Sequence, residues 1–137
     1  MWLLDTVTLS EMTKPNANSE VLSWLANQEP DTFFTSTICI GELRFGIERM
    51  APGQKRDKLR VWLKHIVSHV LKGRTIAFDD AIAKTWAEAR VYSPRTLPIL
   101  DSFIAATALD RGLTIVTQNT KDFIGIGVDV FNPWLES

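Results

Sequence analysis

The sequence is poor in cysteine, in net charge and in long apolar runs, and each shortage narrows what the protein can be. Its single cysteine, Cys39, allows no disulfide within the chain, which is typical of the reducing cytoplasm. No stretch approaches the ~20 apolar residues of a membrane span. The opening MWLLDTVTLSEM lacks the basic start and the long apolar core of a secretory signal. We therefore expect a cytoplasmic protein without a membrane segment.

The balance of acidic and basic residues excludes a strong overall electrostatic field. Fifteen basic and 16 acidic residues give a formal net charge of −1. Nothing global therefore indicates nucleic-acid binding, although a local basic face remains compatible with it. Hydrophobic residues make up 45% of the sequence and charged residues 23%, as in ordinary globular proteins. The 137 residues are enough to bury one core, and we expect a single domain over residues 1–137.

Short apolar stretches alternate with amphipathic helices along the whole chain. The predicted strands are MWLL, DTFFTS, RTIAF and LTIVT, with VDVFNPW as a candidate short edge strand. The predicted helices are SEVLSWLANQ, TICIGELRFGIERM, KRDKLRVWLKHIVSHVLKG, DAIAKTWAEARVY and ILDSFIAATALDRG, the fourth capped by Asp79. Such alternation predicts an α/β fold, in which a parallel sheet is covered by helices on both faces.

The helix in LPILDSFIAATALDRG contains one residue that does not suit it. Asp101 lies three residues before Ile104 and four before Ala105, so it shares the face that they bury. Pro98 is expected at the first helical position, which places Asp101 inside the first turn. The helix dipole stabilises a carboxylate there by ~0.3–1 kcal/mol, less than the several kcal/mol that burial of an unpaired charge costs. We therefore expect Asp101 to meet an arginine, a lysine or a metal ion.

Several other oxygen-bearing side chains fall where Asp101 is expected. Asp5 follows the first strand, Glu42 lies about one turn into the helix after the second, and Asn119 and Asp122 follow the fourth. Binding sites of open parallel sheets form at the carboxyl ends of the strands, so these groups can converge on one edge. Carboxylates without histidine or cysteine suit Mg²⁺ or Mn²⁺ and are typical of phosphodiester hydrolysis. Separate helix caps and surface salt bridges are the alternative.

Four motifs together resemble a known family. LLDT, GELRFGIERM, ILDSFIAATALDRGLTIVTQNTKDF and VFNPW, in this order over nearly the whole chain, resemble the PIN-domain family and most closely its VapC/FitB-like toxins. The resemblance implies a three-layer α/β/α fold with a short-stranded, mostly parallel central sheet. It also implies a Mg²⁺-dependent endoribonuclease, with Mn²⁺ able to substitute, that forms a homodimer and belongs to a type II toxin–antitoxin pair.

The partner of such a toxin is a small antitoxin. The resemblance also implies that the toxin reaches operator DNA only through this antitoxin. We expect one of its basic side chains, an arginine, to enter the acidic edge of the toxin and displace the metal. The RNA substrate would bind at the same edge.

The resemblance assigns roles to particular residues. By position, the acidic metal-binding centre of the family falls on Asp5, Glu42 and Asp101. The fourth position falls on Asn119, where some members carry aspartate, so either Asn119 or Asp122 is expected to complete the site.

Two residues depart from the family pattern and three hydroxyls accompany the acids. Val7 stands where the family usually has asparagine, and Gln118 where it usually has arginine. Both changes remove polar groups near the edge. We expect Thr6, Ser102 and Thr117 to orient the carboxylates by hydrogen bonds, with plain local capping as the alternative for each.

One predicted helix carries two histidines and a run of basic residues to which the resemblance assigns no role. His65 and His69 have the i, i+4 spacing of a metal-binding pair, but no glutamate completes the HExxH motif. Lys64 and Lys72 flank them, which favours an ordinary helix face. The basic run of this helix is typical of a solvated surface and leaves an RNA or antitoxin contact open; it comprises Lys55, Arg56, Lys58, Arg60 and Lys64.

Other functions remain to be weighed against the nuclease. A haloacid-type phosphatase requires Asp-x-Asp after the first strand, and Val7 occupies the second aspartate position. A receiver domain pairs acids after its first strand and has one after its third, the reverse of this chain. The remaining alternative is a catalytically weak or inactive PIN-like module whose acidic rim binds a basic partner segment.

Overall fold

A single five-stranded sheet forms the centre of the computed structural model, which describes residues 1–93 and 95–135. The strands are β1 (Trp2–Leu4), β2 (Phe33–Ser36), β3 (Thr75–Ile76), β4 (Thr114–Val116) and β5 (Val130–Phe131). Their order is β3-β2-β1-β4-β5, and all four neighbouring pairs are parallel. The predicted parallel sheet is confirmed, including its edge strand within VDVFNPW.

Six α-helices connect the strands. They are α1 (Thr6–Glu11), α2 (Ser19–Ala26), α3 (Thr37–Glu48), α4 (Gln54–His65), α5 (Asp80–Tyr92) and α6 (Ile99–Arg111). Short 3-10 helices span Pro30–Thr32, Thr120–Phe123 and Pro133–Leu135. In the described part of the chain, no helix combines the length and the apolar character needed to cross a membrane.

The helix predicted over KRDKLRVWLKHIVSHVLKG is interrupted. Its α-helical part ends at His65, and one π-helical turn follows over Ile66–Val70. The Ser68 hydroxyl donates to the Lys64 carbonyl at 2.6 Å, an acceptor that a regular α-helix reserves for the backbone N–H of residue 68. The backbone N–H of Leu71 instead reaches the Ile66 carbonyl at 2.8 Å. The prediction of one continuous α-helix is therefore wrong at this end.

The two faces of the sheet carry two separate parts of the core. Leu3 and Ile115 pack in one cluster with buried residues of α5 and α6, whereas Leu4 and Val116 pack in another with α3 and α4. Successive residues of a strand point to opposite faces, so each central strand contributes to both clusters. The fold thus has three layers, with the sheet in the middle and helices on each of its faces, as the resemblance implies.

The start of α6 differs by one residue from the expectation. Pro98, with φ −51° and ψ 144°, is the N-cap, and Ile99 is the first helical residue. Because this ψ is extended, the prediction of Pro98 as the first helical residue is wrong. Asp101 nevertheless lies in the first turn, as predicted. Asp79 caps α5 as expected, accepting a hydrogen bond from the backbone N–H of Ile82 at 2.9 Å.

Candidate active site

Asp5 is built into the junction between β1 and α1. It is the N-cap of α1, and its Oδ1 accepts a hydrogen bond from the backbone N–H of Thr8 at 3.0 Å. Its side chain is buried, with 6% of the residue exposed. Burial raises the pKa of Asp5, the hydroxyl of Thr117 and the groups of Thr8 oppose the rise, and the Glu42 carboxylate adds to it.

Glu42 reaches the same region from α3. The helix begins directly after β2, where the Ser36 hydroxyl caps it by accepting a hydrogen bond from the backbone N–H of Cys39 at 3.1 Å. Thr6, the first residue of α1, donates its hydroxyl hydrogen to Glu42 Oε1 at 2.7 Å. This bond joins two elements that are far apart in sequence, and it gives Thr6 a direct carboxylate contact.

Asp101 completes the acidic edge from α6, with its side chain partly buried. Its pKa is raised, first by burial and then by the negative charges of Asp122, Glu42 and Asp5, in that order. Within residues 1–93 and 95–135, no lysine or arginine forms an ion pair with Asp5, Glu42 or Asp101. The cation expected beside Asp101 is therefore not a side chain of this described part.

The two candidates for the fourth position differ in their placement. Asn119 is exposed and precedes the 3-10 helix Thr120–Phe123, and its backbone N–H donates to Thr117 Oγ1 at 3.0 Å. Asp122 lies inside that helix, is partly buried, and affects the pKa of Asp101 more than any other charge does. Electrostatically, Asp122 is thus the stronger neighbour of the acidic edge.

Of the other hydroxyl residues predicted to orient the carboxylates, Thr117 contacts an acid and Ser102 does not. Thr117 is fully buried, and its hydroxyl opposes the rise in the pKa of Asp5. The Ser102 hydroxyl donates to the Ile99 carbonyl at 2.6 Å and accepts from Trp86 Nε1 at 2.9 Å. Ser102 therefore ties α6 to α5, and these bonds do not involve a carboxylate.

The donor chemistry fits a hard divalent cation. The converging groups are carboxylates. Burial, and after it the charges of neighbouring carboxylates, raises the pKa of Asp5 and of Asp101, and a bound cation would stabilise their charged forms. Among the described residues, however, the structure contains no group of three or more His, Cys, Asp or Glu side chains that could together hold a metal ion. Mg²⁺ usually keeps several waters and is held through one or two carboxylates, so a compact group of three is not required.

Two supporting residues escaped the sequence analysis. Thr8 is fully buried, and its hydroxyl donates to the Val116 carbonyl at 2.7 Å, which links the cap at Asp5 to β4. Asp5 and Thr8 stand three residues apart, and this spacing is a capping signal that could have revealed α1. Arg95 Nη1 donates to the Lys121 carbonyl at 2.8 Å and so holds the segment that carries Asp122. No local pattern indicates that second contact.

Comparisons with known proteins agree with the resemblance found in the sequence. The family model for the PIN domain matches residues 2–127. The toxin FitB of Neisseria gonorrhoeae is 34% identical over 137 residues, covering 98% of this chain and 99% of that protein. A VapC ribonuclease of Sinorhizobium fredii is 33% identical and covers 98% of each. The crystal structure of FitAcB from Neisseria gonorrhoeae superposes with a TM-score of 0.92 at 34% identity, covering 98% of this chain and 99% of that one.

Proposed function

The chain belongs to the PIN-domain family, as its motifs suggested, and from this premise we propose that it is a metal-dependent endoribonuclease acting as the toxin of a type II toxin–antitoxin pair. The observation that carries the proposal is the convergence of Asp5, Glu42, Asp101 and Asp122 on one sheet edge without a neutralising lysine or arginine in the described residues. Relatives that match nearly the whole chain are named a toxin and a ribonuclease, which supports the same assignment.

In this proposal the acidic edge holds Mg²⁺, or Mn²⁺ in its place. Asp5, Glu42 and Asp101 are the ligands, and either Asp122 or Asn119 accepts a hydrogen bond from the attacking water and orients it. The bound ion would polarise the phosphodiester and favour the deprotonated form of that water. Asp5 is fixed by its bonds to Thr8, so it offers the metal a rigid ligand, whereas the partly exposed Glu42 and Asp101 can adjust.

The same electrostatics supports a mode of inhibition. Carboxylates whose pKa is raised by burial and by neighbouring negative charges are stabilised in their charged form by a cation that comes between them. An arginine of a cognate antitoxin can therefore compete with the metal for the edge. The protein acts as a homodimer in the cytoplasm, with RNA as substrate, and contacts operator DNA only through the antitoxin.

The first experiment is cleavage of total cellular RNA by purified, antitoxin-free protein, with Mg²⁺, with Mn²⁺ and with EDTA. Ends are mapped by sequencing. We expect discrete cuts that require the metal and disappear in Asp101→Asn. Asp31→Asn is the matched control, because this exposed residue precedes β2 and lies toward the opposite edge of the sheet. Cuts that persist in EDTA or in Asp101→Asn would contradict the proposal.

One observation favours the second candidate, a PIN-like module without strong catalysis. The described acids do not form a compact metal site, and Val7 and Gln118 leave the edge with fewer polar groups than the family pattern. If the folded protein binds metal but cuts no RNA, the acidic rim serves to bind a basic partner segment.

A further inference from the structure

The end of α4 brings the two histidines of the sequence together on an exposed surface. His65 is the last residue of α4, and His69 lies in the π-helical turn that follows. Both side chains are exposed, and their rings stack with centroids 5.0 Å apart and planes 21° from parallel. The sequence contains no other histidine, so every imidazole of the protein stands at this one place.

Ser68 determines which nitrogen of His69 faces outward. Its hydroxyl hydrogen is donated to the Lys64 carbonyl at 2.6 Å, and its oxygen lies 2.9 Å from His69 Nδ1. Because that hydrogen is already used, the Ser68 oxygen accepts, and His69 Nδ1 carries the proton. His69 Nε2 is then left with a free lone pair. Histidines that bind metals commonly donate their other ring N–H to a fixed oxygen in this way.

The backbone at this point is also unusual. A single π-helical turn spans Ile66–Val70, between the two rings, and it is closed by the bond from the Leu71 N–H to the Ile66 carbonyl at 2.8 Å. Such turns are rare, and when they occur in helices they are frequent at functional sites. The paired rings and the irregular turn are two observations at one position, and the Ser68 hydrogen bond that accompanies the turn also favours the His69 tautomer with the proton on Nδ1.

We propose that His65 and His69 form a two-nitrogen surface site for a transition-metal ion that prefers imidazole, such as Zn²⁺, Ni²⁺ or Cu²⁺. Imidazole nitrogens suit these ions, whereas the carboxylates of the acidic edge suit Mg²⁺ and Mn²⁺. Because the nitrogen lone pairs of stacked rings run nearly parallel, the exposed His65 ring must rotate out of the stack for both nitrogens to bind one ion. Water fills the remaining coordination positions. The exposed ammonium groups of Lys64 and Lys72 are near in sequence and lower the affinity, a repulsion that added salt weakens. The site does not depend on the proposed nuclease function.

The test is titration of untagged protein with Zn²⁺ by calorimetry, in excess Mg²⁺ to occupy the carboxylates. We expect one equivalent to bind. His65→Ala and His69→Ala should each weaken binding on the order of a hundredfold, because a single imidazole has no second ligand beside it. Ser68→Ala should weaken it about tenfold, the lower end of the range for partners of metal-binding histidines. Asp101→Asn is the control and should bind Zn²⁺ like the wild type.

The imidazole resonances give an independent readout that folding defects would not imitate. The protein has two imidazole rings, and Zn²⁺ should shift both together at one equivalent. Absence of binding in the wild type, unchanged affinity in either histidine variant, or a shift of one ring alone would each overturn the proposal. Circular dichroism confirms that the variants remain folded, since both substituted side chains are exposed.

Discussion

Asp5 and Asp101 belong to the same acidic edge, but the chain holds them in different ways. Asp5 is almost fully buried, caps α1 and accepts a hydrogen bond from the backbone N–H of Thr8. Asp101 is partly buried, and the charges that act on its pKa are three other carboxylates.

The difference predicts that Asp5 supports the fold as well as the proposed site, whereas Asp101 contributes chiefly to the site. Substituting Asp5 removes a helix cap and leaves a buried N–H without its acceptor, so the fold itself is affected. Substituting Asp101 removes a charge that is partly desolvated and repelled, so the fold loses little. The two acids can therefore be distinguished by measuring stability and activity in the same variants.

The largest expected effect concerns activity. Asp101→Asn should lower the initial rate of RNA cleavage at least about a hundredfold, because it removes a proposed ligand from the metal. Its melting temperature should be equal to or above that of the wild type, because like charges are relieved. Measuring both in one preparation tests the comparison, and a variant that melts lower while retaining the wild-type rate would reverse the roles assigned here.

The next effect concerns stability. Asp5→Ala should lower the free energy of unfolding by about 1–2 kcal/mol, as for other lost N-caps, because the Thr8 N–H loses its acceptor. Urea denaturation measures this directly. Asp31→Ala, an exposed residue in the 3-10 helix before β2, is the control. Equal stability of the two variants would show that the cap contributes nothing.

The pH dependence of stability should also separate the acidic edge from ordinary surface acids. The pKa of Asp101 is raised above its usual 3.8. Between the two pKa values, the folded state therefore holds a proton that the unfolded chain has released. Its stabilising contribution is therefore fully present below about pH 3.8 and is lost as the pH rises through the folded-state pKa. Relative to the wild type, Asp101→Asn should gain stability across that range.

A variant of opposite sign provides the control for this measurement. The pKa of Glu48 is lowered, chiefly by its hydrogen bond from Arg60, so its contribution is present above its usual pKa and lost as the pH falls through the folded-state value. Glu48→Gln should therefore lose stability, relative to the wild type, at higher pH. If the stability of Asp101→Asn and of Glu48→Gln, each relative to the wild type, changed in the same direction with pH, the assigned directions of the two pKa shifts would be refuted.

The smallest effect concerns the contact between the two parts of the edge. Thr6→Val removes the 2.7 Å hydrogen bond to Glu42 and should cost about 0.5–1.5 kcal/mol of unfolding free energy. Thr6→Ser retains the donor and should recover most of it. Cleavage by Thr6→Val should fall less than in Asp101→Asn, because the carboxylate itself remains. An equal loss of activity would assign Thr6 a direct role.

Much of the fold could be predicted because it follows local periodicity. The apolar strands and the spacing in α3, α5 and α6 are readable in sequence, and Asp101 was noticeable because it interrupts an apolar helix. α1 was missed because its six residues are too short to show a helical period. The π-helical turn depends on whether the Ser68 hydroxyl or a backbone N–H bonds to Lys64, a competition that no sequence pattern decides.

The details of the site depend on contacts between distant segments. Sequence alone left Asn119 and Asp122 equivalent, and in the structure Asp122 lies in the 3-10 helix, where its charge raises the pKa of Asp101. Arg95 is 26 positions from the carbonyl that it holds. Neither relation has a local signature, so the donor types could be predicted but not their final arrangement.

The order of the strands has a consequence for how the protein is made. β1 lies in the middle of the sheet, where Leu3 pairs with Ile115 of β4, and the backbone N–H of Thr114 bonds to the Met1 carbonyl. Asp5 is therefore synthesised well before the segments that carry β4, Asp101 and Asp122. Because domains generally fold as units, a nascent chain carries no assembled acidic edge. The acidic edge can therefore assemble only after β4 and Asp122 have been synthesised.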